Sequence, residues 1–321
     1  MKLSIHRTAR AALRVAGLAA ALAGAACGGG DQATTFSAQR VIALGDESSV
    51  VTAEGKKYSV NAFANDSTSA LDCRNSPIWV QTVAVRYGLA FPQCPGVPAA
   101  AVPSTSRIRA AAGATVADLA AQIDAQIADG GIGTGDLVTL LVGANDVIAQ
   151  FAQIPAIGEA QVLANLDAAG AALSAQANRL AALDARVLIS TIPDIGRTPF
   201  AGDRSAAAAA TNPNPVLLSR LSTRFNDAML STLLNDGRKI GLIQLDQYLI
   251  AVDRAAGLGQ GSFVNVTQGS CAVALPDCTP ATLLTGAGAN AWLWADDRHL
   301  GAGGQNSLGS LAVSRATTNP F

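Results

Sequence analysis

The chemistry open to this chain turns on one histidine. Only His6 and His299 occur in 321 residues, and His6 lies in an N-terminal stretch that reads as an export signal. His299 follows Asp296 by three residues. A carboxylate at that spacing can turn back onto Nδ1, fix the tautomer and leave Nε2 facing a nucleophile. On its own the pair also fits a surface histidine beside an acid, and Asp297 reads as a solvated neighbour. The pair gains weight from three polar clusters elsewhere: Gly45-Asp46, Gly113, and Gly143-Ala144-Asn145-Asp146.

Each of those clusters follows an apolar run. Residues 40–44, 108–112 and 136–142 read as strands, with further strands at 186–191 and 240–245. Between them lie helical stretches. One runs from Ser76-Pro77 to Tyr87, with serine as N-cap, proline at the first helical position and Gly88 as terminator. Another is opened by Thr115, with Asp118 three residues on, and ends near Ala128. Residues 158–182 and 214–234 are also helical, 246–292 is rich in loops, and 305–315 is a final helix. Strands alternating with helices predict an α/β fold: a three-layer α/β/α sandwich around a central parallel sheet. In such sheets the ligand site gathers at the carboxyl ends of the strands, where all three clusters fall.

The N-terminus predicts export. Lys2, Arg7, Arg10 and Arg14 precede an Ala/Leu/Gly run over 15–26. That run is shorter than the roughly 20 residues of a membrane span and fits the h-region of a signal peptide. Cleavage before Cys27 would give a lipid-anchored lipoprotein of the bacterial outer membrane or periplasm. Cleavage near Ala23-Gly24-Ala25 would give a plain secreted protein, and Gly24 is an unusual residue three before a lipidated cysteine. The expected layout is a signal peptide over 1–26, a flexible leader over 27–39, and one domain over 40–321. The remaining cysteines, Cys73, Cys94, Cys271 and Cys278, are even in number, as disulfides in an exported protein would be. Sequence order favours Cys73–Cys94 and Cys271–Cys278 among three possible pairings. None shows CxxC spacing, so no metal is expected. A net charge of −1 and few aromatic residues give no basis for binding nucleic acid, and no GxGxxG or GxxxxGK[ST] suggests a nucleotide cofactor.

In this order the clusters resemble the signature blocks of the SGNH/GDSL hydrolases. Val41-Ile42-Ala43-Leu44-Gly45-Asp46 is similar to the opening block, Ala112-Gly113-Ala114-Thr115 to the glycine block, Gly143-Ala144-Asn145-Asp146 to G-x-N-D, and Asp296-x-x-His299 to the terminal D-x-x-H. Asn75-Ser76-Pro77-Ile78-Trp79-Val80 and the segment from Ile192 to Pro199 resemble further family segments. The resemblance implies a serine ester hydrolase, carboxylesterase or lipase-like, acting on small acyl esters without a cofactor. His299 would be the base, Asp296 its orienting partner, and the Gly113 amide and Asn145 side chain the oxyanion donors. Gly113 would also spare room for the acyl group.

The family's nucleophilic serine should follow Gly-Asp directly. Here Glu47 stands there, followed by Ser48 and Ser49. Ungapped, Glu47 replaces the nucleophile; with a one-residue bulge, Ser48 takes its place. Because Asp296, His299, Asn145 and Gly113 are all present, the expected triad is Ser48-His299-Asp296. The alternative is a catalytically impaired homologue, a binding or surface lipoprotein with Glu47 paired to protonated His299.

Overall fold

The computed structural model describes residues 36–65, 67–94, 105–205 and 207–318. The expected signal peptide, Cys27 and most of the leader lie outside them. Ser37–Phe321 falls in a single compact unit.

Five parallel strands make the central sheet: β1 (Arg40–Gly45), β2 (Arg107–Ile108), β3 (Asp136–Leu141), β4 (Arg186–Ser190) and β5 (Ile240–Ile243). Their order is β2-β1-β3-β4-β5. All six residues of β3 are buried, as expected of a mostly apolar central strand between two helical layers; Asp136 at its start pairs with Arg40. Pairing of Gly45 with Leu141 aligns the carboxyl ends of β1 and β3. Helices α1 (Trp79–Arg86) and α7 (Ala302–Thr317) pack together, and α7 also touches β4 and β5. A second group is formed by α2 (Leu119–Ala128), α3 (Ala144–Ile157), α4 (Glu159–Ala182) and α5 (Asn214–Thr232). Helix α6 (Leu245–Gly257) leads to a small parallel pair, β6 (Asn265–Gly269) and β7 (Trp292–Trp294).

The α/β layering agrees with the expectation, and several local readings need correction. The strand expected at 108–112 stops at Ile108 because Arg109, Ala110 and Ala111 turn their amides onto the end of β1. Ser76 is no N-cap: its φ is 50°, and the buried Lys57 ammonium holds its carbonyl at 2.8 Å. Helix α1 starts at Trp79, with the Gln81 side chain accepting the Ile78 amide. Helix α3 was not expected, although Gly143-Ala144-Asn145-Asp146 opens it. Nor was α6, whose residues read as loop-rich. Both expected disulfides are formed, Cys73–Cys94 and Cys271–Cys278. Among the described residues no helix is long and apolar enough to cross a membrane.

Candidate active site

The site begins where β1 runs out. Gly45 has φ 119°, and a β-carbon there would lie 2.0 Å from the Leu141 carbonyl oxygen, so only glycine lets β1 approach β3 and turn. The Gln122 side chain clamps the turn, accepting the Gly45 amide at 2.8 Å and donating to its carbonyl at 2.9 Å. The chain then enters a short 3-10 turn, Glu47–Ser49, capped by the Asp46 carboxylate accepting the Ser48 amide. This geometry points Glu47, not Ser48, at the histidine.

Glu47 makes three contacts. Its Oε1 lies 2.9 Å from His299 Nε2. Its Oε2 accepts the Gly113 amide at 2.8 Å and the Asn145 side-chain amide at 3.1 Å. Gly113 presents its N–H from a turn with φ 75°, and that angle accounts for the glycine: a β-carbon would meet nothing within 4 Å. Asn145 sits in the first turn of α3, entered through Gly143 at φ 127°, where a β-carbon would lie 2.3 Å from the Phe225 ring. Asn145 also donates to the Ala114 carbonyl at 3.1 Å, which fixes its amide between the two partners.

His299 is held from behind. Asp296 Oδ2 lies 2.7 Å from Nδ1, and Asp296 Oδ1 accepts the His299 amide at 2.7 Å. The backbone on either side is pinned, with the Ala295 amide on the His299 carbonyl and the Ser59 hydroxyl on the Leu300 carbonyl. The expected carboxylate–histidine arrangement is thus present in full, and Asp297 points away with its side chain half exposed.

Ser48 lines the same small cavity as Glu47 and His299 but makes no hydrogen bond to the imidazole. Ser49 Oγ is buried without a hydrogen-bond partner. The cavity measures about 20 Å³, room for one water-sized molecule. Arg298 lines it as well, with a buried Nε that has no partner.

The electrostatics follow from burial and pairing. Burial alone would raise the Glu47 pKa. The hydrogen bonds from His299 and Gly113 outweigh it and bring the group down to about 2. Burial would lower His299, and the bonds to Asp296 and Glu47 outweigh that and raise it to about 9. At neutral pH the site therefore holds an imidazolium between two carboxylates. Asp46 is raised to about 7, first by burial and then by the neighbouring Glu47 charge. Among the described residues no cluster of three or more His, Cys, Asp or Glu side chains is placed to hold a metal.

The Glu47 carboxylate thus gathers three donors: one oxygen meets the imidazole, and the other lies between a backbone amide and a side-chain amide. Sequence reasoning located His299, Asp296, Gly113, Asn145 and Glu47. It missed Gln122, whose signal (a glutamine facing a strand end from the next helix) is too ordinary to read, and Arg298, which is two residues from Asp296.

The profile of the family described as GDSL-like Lipase/Acylhydrolase matches residues 41–311. No curated protein sequence matches the chain. Among solved structures, it is similar to the acetyl xylan esterase AlAXEase, at 15% identity and TM-score 0.45 over 86% of this chain and 98% of that one. An extracellular lipase from Streptomyces rimosus matches at 20% identity and TM-score 0.44, covering 88% of this chain and 100% of that one. The lipase Lip_vut3 from a goat rumen metagenome matches at 12% identity and TM-score 0.49, covering 88% and 99%. With the profile spanning most of its length, the chain belongs to the GDSL-like lipase/acylhydrolase family of ester hydrolases.

Proposed function

We propose that the protein is an exported hydrolase of small acyl esters whose resting site is closed by its own Glu47. The observation that carries this reading is convergence: His299 Nε2, the Gly113 amide and the Asn145 side chain all meet on one carboxylate. An ester carbonyl oxygen placed at Oε2 would meet both donors, and a hydroxyl placed at Oε1 would meet the base. Asp296 would orient His299, and no cofactor is called for. When Glu47 swings out, Ser48 on the wall of the same cavity is the nucleophile at hand. Export fits the two disulfides together with the basic and apolar N-terminus. A lipid on Cys27 would add a membrane anchor, and labelling cells with an alkyne fatty acid tests it: loss of label in Cys27→Ser supports the anchor.

A second reading, a catalytically silent binding lipoprotein on the same scaffold, is favoured by one observation. Glu47 already takes every donor that an oxyanion would need. Hydrolysis of p-nitrophenyl acetate by the parent, Ser48→Ala and His299→Ala separates the two. A slow parent activity lost in both variants supports Ser48 as nucleophile. A parent without activity supports the silent reading.

A further inference from the structure

We propose that Lys57, a buried lysine outside the reacting groups, is a positioning residue that sets His299 in line with Glu47. Its side chain has no exposed surface, and Nζ donates to three backbone carbonyls: Asn75 at 2.7 Å, Ser76 at 2.8 Å and Cys73 at 3.2 Å. An ammonium has three donors and no acceptor, so burial is tolerable only where all three are met, as they are here. Burial brings its pKa down to about 8 against the opposing charge of Asp72, which is itself paired with Arg74. The three carbonyls belong to one short loop. It carries the left-handed Ser76, at φ 50°, and is bridged to Cys94 through Cys73. Lys57 is the pin that holds this loop to the segment leading out of the site.

Lys57 bears on the site through the chain on either side of it. Upstream, a small hairpin follows directly on the Glu47–Ser49 turn: Val51 bridges Lys57 antiparallel, and the Thr52 amide donates to the Lys56 carbonyl at 2.8 Å. Downstream, the Tyr58 ring lies 6.2 Å from the imidazole between centroids, and the Ser59 hydroxyl donates to the Leu300 carbonyl at 2.9 Å. Asn61 closes the corner by accepting the Lys57 amide at 2.9 Å. Its side-chain amide donates to the carbonyls of Pro276 and Cys278, within the loop of the second disulfide. The segment therefore leaves from Glu47 and arrives at His299. Lys57 fixes its corner to one disulfide loop and Asn61 fixes its end to the other.

The effect on the histidine has a definite sign. His299 is held protonated by hydrogen bonds to Asp296 and Glu47, and such bonds weaken steeply when their geometry is spoiled. Without the ammonium the corner loosens, Tyr58 and Ser59 shift against the His299 loop, and the imidazole loses alignment with Glu47. Its pKa then falls. Removing a positive charge acts the other way by itself, because a cation nearby disfavours the imidazolium. Lost alignment and lost charge are thus told apart by direction. That the alignment serves ester cleavage rests on the proposed reaction, whereas the alignment itself is read without any substrate.

The experiment is a pH titration of the His299 ring resonance in the full chain, identified by its absence in His299→Gln, for the parent, Lys57→Met and Ser59→Ala. Methionine keeps the bulk of the stem and removes the donors. The expected result in Lys57→Met is a His299 pKa lower by about one unit or more, with a smaller fall in Ser59→Ala. An unchanged or raised value in folded Lys57→Met would mean that the ammonium only closes its own loop, and would overturn the proposal. Ser59→Ala leaves the ammonium and its three carbonyls in place, so it decides the matter even if Lys57→Met does not fold. An unshifted His299 in Ser59→Ala overturns the proposal as well. Nitrophenyl acetate hydrolysis is measured separately: its absence counts against the acyl-ester reading and leaves the titration result as it stands.

Discussion

Replacing Glu47 with glutamine removes one of the two carboxylates that hold His299 protonated while nearly keeping the shape of the side chain. The parent value of about 9 lies well above the ordinary 6.5 of histidine. At about 1.4 kcal/mol per pH unit the difference amounts to about 3 kcal/mol of folding stability, read as an upper bound because the pair is buried and mutually dependent. The folded pKa is the higher one, so this stability is complete below pH 6.5 and disappears as pH rises through about 9. Asp46 acts in a different window. Its pKa is raised to about 7, so its penalty builds between pH 3.8 and 7 and is already in place above that. Urea denaturation from pH 7 to about pH 9, with disulfides intact, also spans the buried Lys57, whose pKa is lowered to about 8, so its penalty is relieved as pH rises and opposes the His299 loss. The substitution leaves Lys57 untouched, so the difference between the two proteins isolates the histidine: the parent should lose about 1–2 kcal/mol more over that range than Glu47→Gln, in which only Asp296 remains. The His299 ring resonance, identified by its absence in His299→Gln, gives the same answer directly. Equal pH slopes in the two proteins, or a parent His299 titrating near 6.5, would refute the ion-pair assignment.

Three further outcomes follow from the supports of the site. Gly45→Ala forces a β-carbon to 2.0 Å from the Leu141 carbonyl at φ 119°, and thermal melting should show a loss above about 3 kcal/mol or no folded protein. Gln122→Met keeps the side-chain volume, strands the buried Gly45 amide and leaves the Gly45 carbonyl with the Ala111 amide alone, with an expected cost of about 1–3 kcal/mol in chemical denaturation. Removing the Cys73–Cys94 bridge as the double serine variant frees a loop of 21 residues in the unfolded chain and should cost about 3 kcal/mol by the same assay.

Much of the site was legible because its residues stand where strands end. The apolar runs before Gly45 and Gly143 mark those ends, and His299 with an acid three residues earlier completes the set. What the sequence left open was which of Glu47 and Ser48 meets His299, because the answer depends on the pitch of the chain after Gly45. The Gln122 clamp, the contact of the Asp46 amide with Leu141 and the Asp46 cap on Ser48 set that pitch, and all but the last are made across the fold. Helix α6 was obscured because its buried face is short, only Leu245, Leu249 and Val252, and directly continues the apolar run of β5. The strand expected beyond Ile108 failed for a related reason: the backbone there is recruited to the end of β1 and then to the turn that presents the Gly113 amide.

The account rests on the Glu47 carboxylate filling both the nucleophile's place and the oxyanion's. The most direct measurement is the rate of p-nitrophenyl acetate hydrolysis by Glu47→Ser beside the parent. Freeing the two donors and setting a hydroxyl against His299 should raise the rate by about 10²-fold or more, on the scale of a restored oxyanion donor. A parent that is as fast as Glu47→Ser, or faster, would mean that Glu47 does not occupy the reacting position and would contradict the central claim.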